Sequence, residues 1–315
     1  MQIFMTTINQ MLVLFFLIFL GYILAKVKAV PENSAMVLSK LENNLFVPAL
    51  VLGTFVKNFT LEKLGAAWKL FAVSFIICFL MMLLAVIVSK CCSKDEYIRN
   101  IYTYGLAFSN FGFMGNAVVN AVFPDIFLDY LIFVMPLWIM IYMWGVPCLL
   151  IPREEGKQTV RTRLKSFANP MFVAMIVGML IGLFGLPLPS PVMTVVSVAG
   201  DCMSPVAMLL TGITVANMDI RKVLAAKSIY VVSCVRLILF PLMFVGIFRL
   251  FPLSQTIMVC TICSLAMPSG LTSIVVPGAY GKDTSVAAGM ALVSHLLSCI
   301  TVPAVFWLMT RLLQI

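Results

Sequence analysis

Ala107-Phe108-Ser109-Asn110-Phe111-Gly112-Phe113-Met114-Gly115-Asn116 interrupts one apolar run of the chain, and Leu265-Ala266-Met267-Pro268-Ser269-Gly270-Leu271-Thr272-Ser273 interrupts another. Asn110 matches Pro268 and Gly112 matches Gly270, at an offset of 158 residues. Inside a bilayer, backbone leaves the helix only where protein or a water-filled cavity satisfies the freed N–H and C=O groups. Two such breaks at corresponding places in two halves point to the binding site of a secondary transporter.

Composition agrees. Hydrophobic residues make up 62% of the 315-residue chain and charged residues 10%, and the mean hydropathy is +1.10. Soluble domains carry about 25% charged residues, so this chain lacks the polar surface that a soluble fold needs. The first apolar run, Ile8 to Ala25, has neither a basic leader nor a small-residue cleavage motif and reads as a helix, not a signal peptide. The formal net charge of +9 does not point to nucleic acid, because Lys and Arg sit in the loops between spans. Most cysteines (Cys78, Cys148, Cys202, Cys234, Cys260, Cys263, Cys299) lie within apolar runs and read as small apolar fillers. Neither a metal site nor a cofactor is expected.

Ten spans fit the apolar runs, at 8–26, 37–56, 66–89, 100–123, 126–150, 169–186, 191–216, 226–250, 254–279 and 284–310. The fourth and ninth carry the breaks. The basic stretch Arg153, Lys157, Arg161, Arg163 and Lys165 divides the chain into a five-span repeat at 1–151, a cytoplasmic loop at 152–168 and a second repeat at 169–315. With the N-terminus outside, fifteen of the 21 Lys and Arg residues fall on the inner side, five fall outside, and Arg236 lies within a span. That bias puts both termini outside, and a bacterial inner membrane is the expected location.

Five spans per half is an odd number, so the second half enters the bilayer inverted relative to the first. Traces of duplication support this reading. Asn9-Gln10-Met11-Leu12-Val13 resembles Asn169-Pro170-Met171-Phe172-Val173 at an offset of 160, and Pro48 with Asn44 resembles Pro205 with Asp201 at 157. The expected fold is therefore all-α, two inverted five-helix repeats with helices four and nine broken.

A break frees the leading N–H groups of the downstream half-helix and the trailing carbonyls of the upstream half. The N–H ends carry partial positive charge. Inverted halves bring both breaks together near mid-membrane, where the two N-termini can face one carboxylate. Gly112, Gly115 and Gly270 permit close backbone approach, and Pro268 stops a helix. Asn110, Asn116, Ser269, Thr272 and Ser273 can bond a polar ligand or repair the freed backbone.

These residues resemble the auxin efflux carrier family, which includes the plant PIN-type carriers and bacterial malate or malonate permeases. Asn110 to Pro124, Asn169-Pro170, Val235-Arg236 with Pro241, and Pro268-Ser269-Gly270 carry the resemblance, which covers nearly the whole chain. Two departures stand out. The plant carriers have a proline near Ala117, and their long central hydrophilic loop is absent here. The resemblance implies that helices four and nine cross at their breaks. It also implies a scaffold of helices 1, 2, 6 and 7, with helices 3–5 and 8–10 as an elevator-type transport domain. A small organic anion would be carried past that scaffold, and a homodimer would form through it.

Ionisable residues at bilayer depth are functional candidates. Asp201, with Asn44 as its repeat mate, is expected on the scaffold facing the moving domain. There it would hold a proton or sodium ion, or bond a neighbouring backbone group. Glu42 near the inner boundary reads as a snorkelled carboxylate or as part of an inward vestibule. Arg236 has two readings, an anion attractor or a structural partner of Asp201. His295, the one histidine, reads as a proton-coupling group or as a neutral hydrogen-bonding partner.

An intramembrane enzyme would need paired aspartates, a Ser/His dyad or Asp-rich metal motifs at matching depth, and the chain offers none. A passive channel would gain selectivity from rings of repeated elements. The remaining rival carrier is a sodium-coupled bile-acid-type symporter with the same broken-helix logic.

Overall fold

The structure, a computed structural model, describes residues 2–151, 170–217, 226–251 and 253–312. The basic stretch Arg153 to Lys165 lies outside them, as do Arg221 and Lys222. The described residues are almost wholly helical. Their one extended pairing is a single two-residue bridge.

The first half holds α1 (Gln2–Lys26), α2 (Ser34–Asn58) and α3 (Leu61–Cys92). After these come α4 (Glu96–Ala107), α5 (111–122) and α6 (127–150). The second half holds α7 (Pro170–Phe184), α8 (Ser190–Asn217), α9 (Lys227–Leu250), α10 (Gln255–Ala266), α11 (Thr272–Ala279) and α12 (Ser285–Leu312). The fourth and ninth expected spans are thus two half-helices each, α4 with α5 and α10 with α11.

Among the described residues six helices are long and apolar enough to cross a membrane: α2, α3, α6, α8, α9 and α12. Their outer faces are apolar as well. Ile76 and Phe79 on α3, Val195 on α8 and Ile300 on α12 are each more than 60% exposed. A surface like that is stable against lipid and unstable in water. Lys26 over Tyr22, Lys69 over Trp68 and Arg311 over Trp307 stack charge on ring near helix ends, as interface anchors do.

Local chemistry sets the helix ends. Asp95 caps α4, its carboxylate accepting the Ile98 N–H at 2.8 Å. Gly185 closes α7 with φ +59°, the left-handed conformation that only glycine adopts without strain. The Leu186 N–H then reaches back to the Ile181 carbonyl.

The most extensive packing pairs α1 with α8 and α2 with α7. Small residues make both contacts close. A Cβ on Gly21 or Gly212 would collide with backbone of the opposite helix. Gly178 and Gly182 lie against Phe55 and Phe59 in the same way, as a Gly-x-x-x-Gly face allows. Lipid tails are as apolar as the helix surfaces, so tight van der Waals contact holds such helices together.

Three helices carry π-wound turns, at Glu42–Phe46 in α2, Ile141–Leu150 in α6 and Val235–Leu239 in α9, and α5 opens with a fourth at Phe111–Gly115. Such turns mark functional sites more often than ordinary helix does. Cys260 and Cys263 form a C-x-x-C spacing on α10, but both are buried thiols. Among the described residues no three His, Cys, Asp or Glu side chains are grouped to hold a metal.

Candidate functional site

The two breaks satisfy each other. Phe108 and Met267, the residues that end α4 and α10, are extended. Ser109 and Ser269 then form an antiparallel bridge. The Asn110 N–H donates to the Pro268 carbonyl at 2.7 Å, and the Gly270 N–H donates to the Phe108 carbonyl at 3.1 Å. Buried backbone groups released by two broken helices thereby find partners without water. The bridged residues lie 160 apart, against the 158 of the sequence match.

Every residue of this pairing is buried, including Asn110, Pro268, Ser269 and Gly270. Gly270 eases the pairing, since a Cβ there would stand 3.2 Å from the Phe108 oxygen and 3.3 Å from the Ser109 oxygen, and the paired backbone would have to give by a few tenths of an ångström. Gly112 and Gly115 lie against aromatic side chains. Added Cβ atoms would strike the Trp138 ring and the Tyr130 hydroxyl, so these glycines admit aromatic side chains of α6. The Tyr130 hydroxyl also donates to the Phe111 carbonyl at 3.0 Å.

Arg236 anchors both upstream half-helices. Its guanidinium is buried in the π-wound turn of α9 and donates to the Leu106 carbonyl of α4 at 2.9 Å. Longer contacts of 3.4 Å reach the Ser264 and Met267 carbonyls at the end of α10. A cation at two helix C-termini meets the negative ends of both dipoles. Arginine's planar fork suits several carbonyls at once. The expected partner, Asp201, instead sits on an exposed face of α8, and among the described residues it makes no ion pair with Arg236.

His295 of α12 holds Asn110. The ring Nδ1 lies 2.8 Å from the Ala291 carbonyl, which can only accept, so Nδ1 carries the hydrogen. The bare Nε2 then accepts from Asn110 Nδ2 at 3.1 Å. Both ring nitrogens are thereby engaged. A small pocket beside the pair is lined by Leu14, Phe15 and Ile18 of α1, Met114, His295 and Ser298.

Polar groups remain unused on the two interrupted segments. Asn110 Oδ1, Asn116 Oδ1 and Ser269 Oγ are buried without a hydrogen-bond partner. Thr272 is engaged by the Tyr104 hydroxyl, and Ser273 donates to the Gly270 carbonyl at 2.8 Å. The Ser269 N–H donates to Ser294 Oγ at 3.2 Å. The downstream half-helices α5 and α11 both begin at this pairing, so two positive dipole ends lie here while Arg236 offsets the negative ends.

Asn44 is not part of this group. It is exposed on α2, and its amide bonds back to the Lys40 carbonyl at 2.8 Å. Glu42, read as a snorkelled carboxylate or as part of an inward vestibule, is fully buried with both carboxylate oxygens unpartnered. Arg236's carbonyl partners lie 28 to 130 residues away, so no local signal named them. The Gly178/Gly182 spacing was readable, and only its register against α2 needed the structure.

Comparison with known proteins extends the argument beyond geometry. A family model described as membrane transport protein matches residues 6–307. A protein of Methanothermobacter thermautotrophicus described as an uncharacterized transporter is 24% identical over 307 residues, which cover 96% of this chain and 98% of the relative. With a family match across nearly its whole length, the chain belongs to the membrane transport protein family of auxin efflux carrier-like transporters.

Proposed function

We propose that this protein is a secondary carrier of a small organic anion, a carboxylate such as malate or malonate or an auxin-like acid, which binds where the two breaks pair. The observation that carries the reading is the reciprocal backbone pairing of Ser109 and Ser269 beneath Arg236. The trailing carbonyl ends of α4 and α10 are offset by a full positive charge, while the leading N–H ends of α5 and α11 are not offset by any acid among the site residues. The net field at the crossing therefore favours an anion.

The reading includes ten spans in two inverted repeats, both termini outside, in a bacterial inner membrane. The matched pairs α1 with α8 and α2 with α7 support it, because each joins a helix of one half to its counterpart's neighbour in the other. These four helices would form the scaffold, through which two copies would dimerise. The remaining helices would carry the anion across in an elevator-type movement.

The test is uptake of labelled malate into liposomes holding the purified protein, at fixed pH and sodium, with an imposed membrane potential. Saturable uptake that follows the sign of the potential supports an anion carrier, and a competition panel then ranks carboxylates. Uptake that requires sodium at every potential would favour the bile-acid-type alternative. Absence of uptake for every carboxylate and aromatic acid would remove the anion assignment.

A further inference from the structure

Glu42 is a costly side chain to leave as the structure shows it. It is 0% exposed, and both of its oxygens lack a hydrogen-bond partner. An ionised carboxylate in that state is unstable by far more than the few kcal/mol of a neutral polar group. On the adjacent residue, Asn43 Oδ1 is also buried and unpartnered. Acceptors in surplus call for a donor.

The position is as informative as the burial. Glu42 opens the π-wound turn of α2, which packs against α7, α8 and α11. The contact with α11 is close. A Cβ on Gly278 would stand 2.6 Å from Ser39 Oγ, one turn before Glu42. α11 is the half-helix that descends from the second break, so the carboxyl lies where the proposed scaffold meets the proposed moving part.

Among the described residues no neighbouring charge compensates it. α7 and α11 carry no charged or titratable side chain, and α8 contributes Asp201 and Cys202, of which Asp201 is exposed. Lys40 and Lys57 of α2 itself are exposed.

We infer that Glu42 is the proton-binding site that couples transport to a proton gradient. This rests on the carrier reading above. In the closed arrangement seen here the carboxyl holds its proton as a neutral acid. Moving α11 away from α2 opens the carboxyl to water, where the ionised form is stable and the proton leaves. One proton is bound on closure and one released on opening. Neither Asp201, already exposed, nor His295, bonded at both ring nitrogens, undergoes such a change of surroundings.

Infrared difference spectroscopy of the reconstituted full chain between acid and alkaline pH tests the site without any substrate. The expected result is a carboxylic-acid carbonyl band that disappears in Glu42→Gln, moves in Glu42→Asp and stays in Asp201→Asn. No such band, or one unchanged in Glu42→Gln, overturns the proposal. A band that responds to sodium at constant pH also overturns it, in favour of a cation site.

Labelled-malate uptake then tests coupling. Glu42→Gln mimics the protonated acid and should lose acceleration by an imposed proton gradient while keeping malate counterflow. Acceleration equal to that of the unmodified protein overturns the coupling role. If malate is not carried at all, the spectroscopic arm still decides whether Glu42 is a proton site, so the two readings fail separately.

Discussion

Ser109 and Ser269 stand opposite each other in an antiparallel bridge, 160 residues apart, the same offset that separates Asn9 from Asn169. In a molecule of two inverted copies, equivalent residues meet only on the axis relating them. By the 158-residue match of the two breaks the equivalent pair is Asn110 and Pro268, so the bridge lies one residue from that axis under the proposed architecture. It also places the least helical part of each half at the point where the two share their hydrogen bonds.

Gly270→Ala tests whether this pairing matters for transport. The added Cβ would meet the Phe108 and Ser109 oxygens at 3.2 and 3.3 Å, and the backbone must give by a few tenths of an ångström. Small displacements of a binding geometry cost heavily, and a loss of about tenfold in uptake is expected. Gly246→Ala, with no atom within 4 Å of its Cβ position, is the control and should leave uptake unchanged. Equal rates for the two variants would detach the pairing from the function.

Arg236 is expected to matter for stability before it matters for transport. Arg236→Met removes the donor to the Leu106 carbonyl and the longer contacts to Ser264 and Met267. Each buried group left unsatisfied costs about 1–3 kcal/mol. Thermal unfolding of the detergent-solubilised protein should show a midpoint several degrees lower for Arg236→Met. Arg236→Lys keeps the charge without the fork and should fall between. An unchanged midpoint for Arg236→Met would end its assignment as a cap.

Asn110 and Pro268 are predicted to act on binding. Asn110→Ala removes an unpartnered acceptor and leaves His295 Nε2 without its donor. Pro268→Ala introduces an N–H where the paired segment has none. Loss of one hydrogen bond to a charged ligand is worth about 1.5–3 kcal/mol, or roughly ten- to a hundredfold in affinity. Cys263→Ala, a buried thiol on α10, is the comparison and should stay close to the unmodified protein. Small and equal losses in all three would remove these residues from the site.

Much of this was legible in the sequence for a physical reason. Helices here tolerate single prolines, as at Pro136, Pro205 and Pro303; it was the clustering of Pro268 with Gly270, and of Asn110 with Gly112 and Gly115, at matched positions that announced the two breaks. What the sequence withheld depends on which face of a helix turns inward. Glu42, eight residues into α2, read as a snorkelling acid because nothing local distinguishes an inward from an outward carboxylate. The π-wound turn at Glu42–Phe46 rotates the helix face, and no residue pattern signalled it. Arg236 read as an ion-pair partner because Asp201 was the visible anion, while its actual acceptors are backbone carbonyls that no side-chain inventory contains. Gly112 and Gly115 read as permitting close backbone approach, and the groups that lie against them are the side chains of Trp138 and Tyr130.

The orientation is tested by Cys91. It is exposed in the last turn of α3 beside Lys90, which the charge bias assigns to the inner side. A variant that keeps Cys91 as its only cysteine should escape a membrane-impermeant maleimide in intact cells and react in everted vesicles. A second variant that keeps only Cys78, buried thirteen residues earlier on the same helix and about 20 Å along the axis, should remain unlabelled from either side. Labelling of Cys91 in intact cells would turn the molecule over. The fifteen basic residues assigned inside would then face outward, against the electrostatic rule that orients membrane helices. Glu42, near the same membrane face as Cys91, would then exchange its proton with the outer solution, reversing the direction of gradient that accelerates uptake.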